Sequence, residues 1–434
     1  MFNYYLHLSL ANIKRQHGLT WLIAVTLGIG IAACVITFGL LLLMSKDPLP
    51  TKSDRLYHVQ LDNWPLNESA VSPNLPPEEV TWRDAINIVQ AKQAKYQAAH
   101  ALTWGMVTPA EKNVPPFLAI IRATHGEFFP MYEVPFLFGQ AWDNMPQDQI
   151  KYITVLSKET NDRVFKGINS VGKTIPMLGQ LFTIVGVLDV WQPTPKFYDL
   201  SMGTFNQAED IYIPLNLKAE LELPHGGNSH CWENNLANTY AAFLYSECVN
   251  FNLWVEFSDS LQKQQFEHYL NSYTDQQRTF GRFPKNNNNT LLNLKKWLDY
   301  QDVVGTDMYL FFYLALLFLI VCLFNAASLI SHKFSAKSSE IALRRALGAN
   351  QIQIFLQCFI ETLMLGLLGA AVGLLLSLLG FEAIKLLYPS FDALVQFDLS
   401  LVLITISLSL ASSILAGAIP SMSVCRLTPA VYLK

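Results

Sequence analysis

Charged residues are scarce in this sequence and are unevenly placed. Only 15% of the 434 residues are Asp, Glu, Lys or Arg, whereas soluble proteins contain about 25%. The formal net charge is −4, so the overall charge does not favour a nucleic-acid partner. Uncharged stretches of at least 20 residues are long enough to cross the hydrocarbon of a bilayer as helices. Those stretches are residues 19–45, 308–332, 362–381 and 399–425.

Motifs of common enzymes are absent as well. The sequence has no H-E-x-x-H, G-x-S-x-G or C-x-x-C pattern, so we predict no catalytic residue, metal or cofactor. Residues 167–174 match the phosphate-loop pattern G-x-x-x-x-G-K-[ST]. That loop works only after a strand and before a helix, whereas here a helix is expected before it and a strand after it. We therefore predict that any ATP is hydrolysed by a partner.

Cysteines are also few. Four lie in or beside the uncharged stretches, and only Cys231 and Cys248 lie in the long segment between the first two stretches. An oxidising compartment would permit a disulfide between them, although two separate thiols are an equal alternative. His225 and His230 lie close to Cys231, but their spacing matches no standard zinc pattern.

The first uncharged stretch has two interpretations. Residues 31–34 resemble the cleavage box of a lipoprotein signal, and Lys14 and Arg15 could form its basic region. The apolar run continues to Met44, past the usual end of an export signal. A permanent span is therefore favoured over a cleaved signal.

The positions of Lys and Arg predict the orientation of the spans. Lys14 and Arg15 precede the first span, and residues 333–350 are rich in Lys and Arg. Because basic residues concentrate on the cytoplasmic side of spans, both termini and residues 333–350 are expected in the cytoplasm. The long segment 46–307 and the link 382–398 are then outside.

The long outer segment has the pattern of an α+β domain. Strands are predicted at 55–61, 118–124, 153–157, 181–188, 211–214 and 253–257, and helices at 77–99 and 260–272. After residues 286–289, which are expected to form a turn, helical spacing is kept by Leu291, Leu294, Trp297 or Leu298, and Gln301. This recurrence predicts a stalk helix that continues without a break into the second span.

The predicted domains follow from these segments. They are an N-terminal amphipathic helix and first span (1–45), an outer domain (46–290) with a second subdomain within 190–285, a stalk and second span (291–332), a cytoplasmic segment (333–350), and the third and fourth spans with a tail (351–434).

The third span carries glycines on one face, which would let another helix approach closely. Whether that helix belongs to the same chain or to a second copy is open. Glu361 and Glu382 bracket this span, and at its two ends both carboxylates are expected to reach water. The glycines are Gly366, Gly369, Gly373 and Gly380.

The most informative stretch is the charged segment 338–350, between the second and third spans. Glu340 and Arg344 are spaced for an ion pair worth about 0.3–0.5 kcal/mol on a helix. Ile341 and Arg345 give the helix a mixed face suited to a groove on a soluble partner. The alternative is a connecting helix that only satisfies the charge rule for cytoplasmic segments.

Several motifs resemble one family of membrane proteins. Residues 53–59, 126–142, 155–165, 171–175 and 182–187 are similar to the periplasmic core domain of MacB-type ABC-transporter permeases. In that family V-G-K-T is a structural turn. Residues 340–349 (EIALRRALGA) resemble the "E-I-G-I-R-R-A-L-G-A" motif of FtsX-like permeases, and residues 417–420 and 426–430 resemble their tail.

The resemblance implies a protein of the bacterial inner membrane, with four transmembrane helices and a large α+β domain inserted between the first two. It implies an ABC ATPase partner and a second permease copy or sister permease. It also implies efflux of a drug, peptide or lipid-like substrate by mechanotransmission, with an adaptor and an outer-membrane channel as further candidates. The alternatives are a lipoprotein-releasing permease and an FtsX-like regulator of a cell-wall hydrolase. The residues implied in ATPase coupling are Glu340, Ile341, Arg344, Arg345, Leu347 and Gly348.

Overall fold

The computed structural model describes residues 2–70, 75–111, 114–142, 151–232, 239–285, 288–387 and 399–425. The chain divides into two compact units. One consists of Met1–Ser45 with Val304–Lys434, and the other of Lys46–Val303. The tail motif that begins at Arg426 and the link from residue 388 to 398 lie outside the described residues.

Helices and strands are numbered in chain order. The helices are α1 (Phe2–Arg15), α2 (His17–Met44), α3 (Trp82–Ala91), α4 (Phe128–Met131), α5 (Lys158–Phe165), α6 (Leu215–Glu220), α7 (Tyr240–Leu244), α8 (Ser260–Arg278), α9 (Leu294–Tyr300), α10 (Thr306–Ser335), α11 (Ser338–Ala346), α12 (Gln351–Leu387) and α13 (Leu399–Cys425). The strands are β1 (Leu56–Gln60), β2 (Tyr96–Val107), β3 (Phe117–Thr124), β4 (Phe136–Gly139), β5 (Ile153–Leu156), β6 (Thr174–Met177), β7 (Gln180–Leu188), β8 (Ile211–Pro214), β9 (Asn252–Glu256) and β10 (Thr290–Asn293).

The four uncharged stretches fall in α2, α10, α12 and α13, which are long and apolar enough to cross a membrane. The mixed α/β unit lies in sequence between the first two of them. The predicted fold class is therefore confirmed.

The outer unit, residues Lys46–Val303, is built on one sheet. Its strand order is β10-β1-β9-β2-β3-β8-β5-β7-β4, and β6 pairs with β2 and β7. The pairs β3–β8 and β5–β7 are parallel, and the other pairs are antiparallel. Residues 190–285 supply β8 and β9 to this same sheet, and the second subdomain within them stays a prediction.

Both faces of the sheet are covered. Successive side chains of a strand point to opposite faces, and on β9 Leu253 and Val255 join one apolar cluster while Trp254 joins another. The second cluster is rich in aromatic rings, and Tyr132 and Tyr198 stack in it with ring centroids 5.6 Å apart. The sheet therefore lies between two apolar cores, one on each of its faces.

The predicted helix at 77–99 is wrong at both ends. The side chain of Thr81 accepts a hydrogen bond from Asp84 N (3.2 Å) and caps α3, and Lys92 ends the helix in the left-handed region (φ 48°). Tyr96 already belongs to β2. Residues 97–103 of this strand are buried on both faces, so they lack the alternation that reveals a half-exposed strand.

The predicted continuous stalk is also wrong. Residues 290–293 form β10, and the side chain of Asn293 caps α9 by accepting a hydrogen bond from Lys296 N (2.9 Å). Helix α9 ends at Tyr300, Asp302 is left-handed (φ 47°), and Gly305 caps α10. The apolar residues keep a helical spacing here, but the cap at Asn293 and the turn at Asp302 interrupt the helix.

A buried ion network holds the centre of the outer unit. Arg122 of β3 is fully buried and forms ion pairs with Asp199 (2.5 Å) and Glu209. Glu209 also forms an ion pair with Lys196 (2.7 Å). Burial alone would raise the pKa of Glu209, but the charges of Arg122 and Lys196 outweigh burial and lower it to about 2. The same two cations lower the pKa of Asp199 against the effect of burial.

In the membrane unit the other spans pack around α2. The Cβ positions of Gly369, Gly373 and Gly380 on α12 would meet α2 side chains, and that of Gly366 would meet Ser413 of α13. The glycine face of the third span therefore packs within the chain. On α2 itself, a Cβ added to Gly28 would come within 2.8 Å of Val372 Cβ.

We predict that Gly28→Ala destabilises the membrane unit. The added methyl group would force α2 and α12 apart, and overpacking of this kind costs about 1–3 kcal/mol. Gly18→Ala is the matched control, since it lies on the same helix with no atom within 4 Å of the added Cβ. Thermal unfolding in detergent should show a lower Tm for Gly28→Ala alone. An equal Tm for both variants would contradict the close approach.

We predict that Arg122→Met destabilises the outer unit by about 3–5 kcal/mol, because it leaves buried carboxylates without their main cation. Lys158→Met, which removes an exposed ion pair with Asp162, is the control and should change stability little. Chemical unfolding followed by tryptophan fluorescence would measure both.

The same network predicts a pH dependence. The pKa of Glu209 is lowered from 4.5 to about 2, so its stabilising contribution is present above pH 4.5 and is lost as the pH falls toward 2. The wild-type chain should therefore lose stability across this window, and Arg122→Met should lose less. An equal slope in the two proteins would contradict this assignment.

Candidate functional site

Helix α11 forms from the charged segment that the sequence singles out. It runs from Ser338 to Ala346, directly after Lys337. Gly348 follows in the left-handed region (φ 102°), and Ala349 N donates to Arg344 O (3.0 Å). A left-handed glycine after the last turn is a common helix end, so Gly348 fixes where α11 stops.

One face of α11 is packed and the other is open. Ile341 and Ala342 are buried, and Ile341 belongs to the same apolar cluster as residues of α2, α10, α12 and α13. Leu343 is 50% exposed and Leu347 is 80% exposed. Leu343 and Leu347 are therefore largely uncovered by the rest of the chain.

The two arginines of α11 also make contacts within the chain. Arg344 pairs with Glu340 (2.7 Å) and donates to the side-chain oxygen of Gln357 (2.8 Å). Arg345 donates to the backbone carbonyl of Cys425 (3.2 Å). These bonds tie α11 to α12 and α13, so the arginines hold the helix in place as well as carrying charge.

A groove of about 340 Å³ lies beside α11. Tyr5 of α1, Arg344, Leu347, Gln353 and Gln357 line it. Sequence reasoning placed Arg344 and Leu347 at this site but missed Tyr5 and Gln357. The groove brings apolar and hydrogen-bonding groups together next to the open face of α11.

Glu361 does not reach water, contrary to the expectation from its place at the end of an uncharged stretch. It is 1% exposed, and Lys333 and Lys337 each approach Oε1 to 3.0 Å. The charge rule for cytoplasmic segments accounts for the presence of these lysines but does not predict their ion pairs with Glu361. Glu382 is exposed and pairs with Lys385 (3.1 Å).

The remaining predicted residues lie in the outer unit. Cys231 and Cys248 are joined in a disulfide. Residues 167–174 follow α5 and run into β6, so the loop does not open a helix. In the part of the chain that the structure describes, no three His, Cys, Asp or Glu side chains are grouped to hold a metal ion.

Two family models match the chain. The model for the MacB-like periplasmic core domain matches residues 20–273, and the model for the FtsX-like permease C-terminal matches residues 312–429. Among curated proteins, "Macrolide export ATP-binding/permease protein MacB" from Salmonella paratyphi A is 22% identical over 305 residues. The match covers 70% of this chain but 41% of that protein, so the chain spans about two fifths of its relative's length.

Solved structures also resemble the chain. The periplasmic region of MacB from Actinobacillus actinomycetemcomitans gives a TM-score of 0.37 at 12% identity, covering 59% of this chain and 96% of that one. The extracellular domain of the ABC-type transporter YknZ from Gram-positive bacteria gives 0.33 at 14% identity, covering 55% and 100%.

The core-domain model alone covers more than half of the chain. The permease model covers the helices that flank and include α11. The chain belongs to the family of MacB-like, FtsX-like ABC-transporter permeases, and it is a membrane protein with an extracytoplasmic domain between its first and second spans.

Proposed function

We propose that this chain is the permease subunit through which a separate ABC ATPase moves the extracytoplasmic domain. The two family models that match describe a periplasmic core domain and a permease region, not an ATPase domain. ATP binding and hydrolysis by the partner would displace α11, and the spans would carry that displacement to the outer unit.

The observation that carries this proposal is the two-sided packing of α11. Ile341 and Ala342 are buried against the spans while Leu343 and Leu347 are exposed. Leu347 also lines the groove beside α11, so a partner that filled this groove would cover its side chain. A soluble ATPase that buried one of these leucines would gain about 1.5–3 kcal/mol of binding energy.

The outer unit is proposed to act on a substrate outside the membrane. The name of the curated relative describes macrolide export, and for this chain we propose efflux of a drug, peptide or lipid-like molecule by mechanotransmission. The proposed setting is the bacterial inner membrane. The proposed assembly includes a second permease, as copy or sister subunit, and an adaptor with an outer-membrane channel.

We predict that Leu347→Glu releases the ATPase. The substitution places a charge in the buried part of the interface, and co-purified ATPase should fall by about tenfold or more, since 1.4 kcal/mol is a factor of ten. Arg344 and Arg345 are less suitable for this test because their substitution also breaks bonds to Gln357 and Cys425. The measurement is ATP hydrolysis by the tagged chain purified with its partner.

Leu386→Glu is the matched control for this experiment. Leu386 is 84% exposed near the opposite end of α12, where a cytoplasmic partner would not reach. It should retain the wild-type amount of ATPase. Equal retention by the Leu347 variant would contradict the assignment of α11 as the docking helix.

A further inference from the structure

The buried carboxylate of Glu361 on α12 is bound by side chains from α1, from α10 and from the residue before α11. Lys333 and Lys337 each bind Oε1 at 3.0 Å, and the side-chain amide of Asn12 on α1 donates to Oε2 at 3.1 Å. Lys333 also donates to the hydroxyl of Thr20 on α2 (3.2 Å). The polar node, as we call these five residues, therefore joins α1, α2 and the end of α10 to α12.

The contacts of the node satisfy groups that would be costly to bury alone. Glu361 and Lys333 are 1% and 0% exposed, and moving an isolated charge out of water costs several kcal/mol. Asn12 donates a further hydrogen bond to Glu361, and Thr20 accepts one from Lys333. Displacing any one helix would therefore break bonds that the others depend on.

The node adjoins α11 directly. Lys337 is the residue before Ser338 and occupies the N-cap position of α11, and Lys333 lies one turn earlier in α10. At its other end α11 is tied to α12 by Arg344 and Gln357. The helix that faces the partner is thus attached to α12 at both ends, by an ion pair at its start and a hydrogen bond near its end.

We infer that the polar node positions α11 against α12, with Glu361 and Lys337 as the positioning residues, so that a displacement of α11 moves α12. The role of α11 as the docking helix rests on the proposed function. The attachment itself belongs to the permease alone and can be tested without any ATPase.

The first experiment measures backbone hydrogen exchange in the full chain, in lipid nanodiscs and without partner. In Glu361→Gln, which keeps the size of the side chain but removes its charge, exchange in residues 338–346 should rise by about tenfold while α13 stays unchanged. Glu382→Gln, an exposed residue of the same helix, is the control and should match wild type. Unchanged exchange in α11, or an equal rise in α13, overturns the inference.

A second substitution guards against general damage by the first. Lys337→Met removes the cation nearest α11 and leaves Glu361 paired with Lys333. Exchange in residues 338–346 should rise in this variant as in Glu361→Gln, while α13 again stays unchanged. Wild-type exchange of α11 in Lys337→Met overturns the inference.

The second experiment adds the ATPase and a non-hydrolysable ATP analogue. In wild type the analogue should change exchange in both α11 and α12, whereas in Glu361→Gln it should change α11 only, a result that a purely structural role would not give. A full response of α12 in that variant overturns the inference. If wild type retains no ATPase, the proposed function fails, and the first experiment still decides whether the node positions α11.

Discussion

The close approach of α12 to α2 is the constraint on which the membrane unit depends. Lipid tails are as apolar as the side chains that face them, so helices in a bilayer associate through tight packing rather than through the hydrophobic effect. Gly28 meets Val372 and the backbone of Gly373, and Gly369 and Gly373 meet Leu27 and Ile31. Small residues on both helices allow this contact, and α10 and α13 then pack on the remaining faces of α2.

Each of the two units contains a buried charge that is neutralised by opposite charges. Arg122 in the outer unit is shared by Asp199 and Glu209, whereas Glu361 in the membrane unit is shared by Lys333 and Lys337. In each case one charge binds two opposite charges that lie in another segment of the chain. Such groups hold distant segments in register because leaving any member unpaired and buried is costly.

The sequence predicted the spans, the α+β domain and α11 because each has a strong local signal. Runs without charge, alternating strands and the Glu340–Arg344 spacing can be read without knowing what lies nearby. The end of α3 was missed because β2 is buried on both faces and lacks the alternation of a half-exposed strand. The interruption of the predicted stalk was missed because helical spacing continues across the cap at Asn293. The hydrogen bond from Asn12 to Glu361 was missed because the two residues are 349 positions apart.

The first and last strands of the outer unit pair with each other at the edge of the sheet. Val59 of β1 lies opposite Leu291 of β10 in an antiparallel pair, so the start of β1 lies beside the end of β10. The chain enters the outer unit at Lys46 and leaves it at Val303. Both connections therefore reach the sheet at the same end of one strand pair, and a pull on either of them loads the hydrogen bonds of that pair.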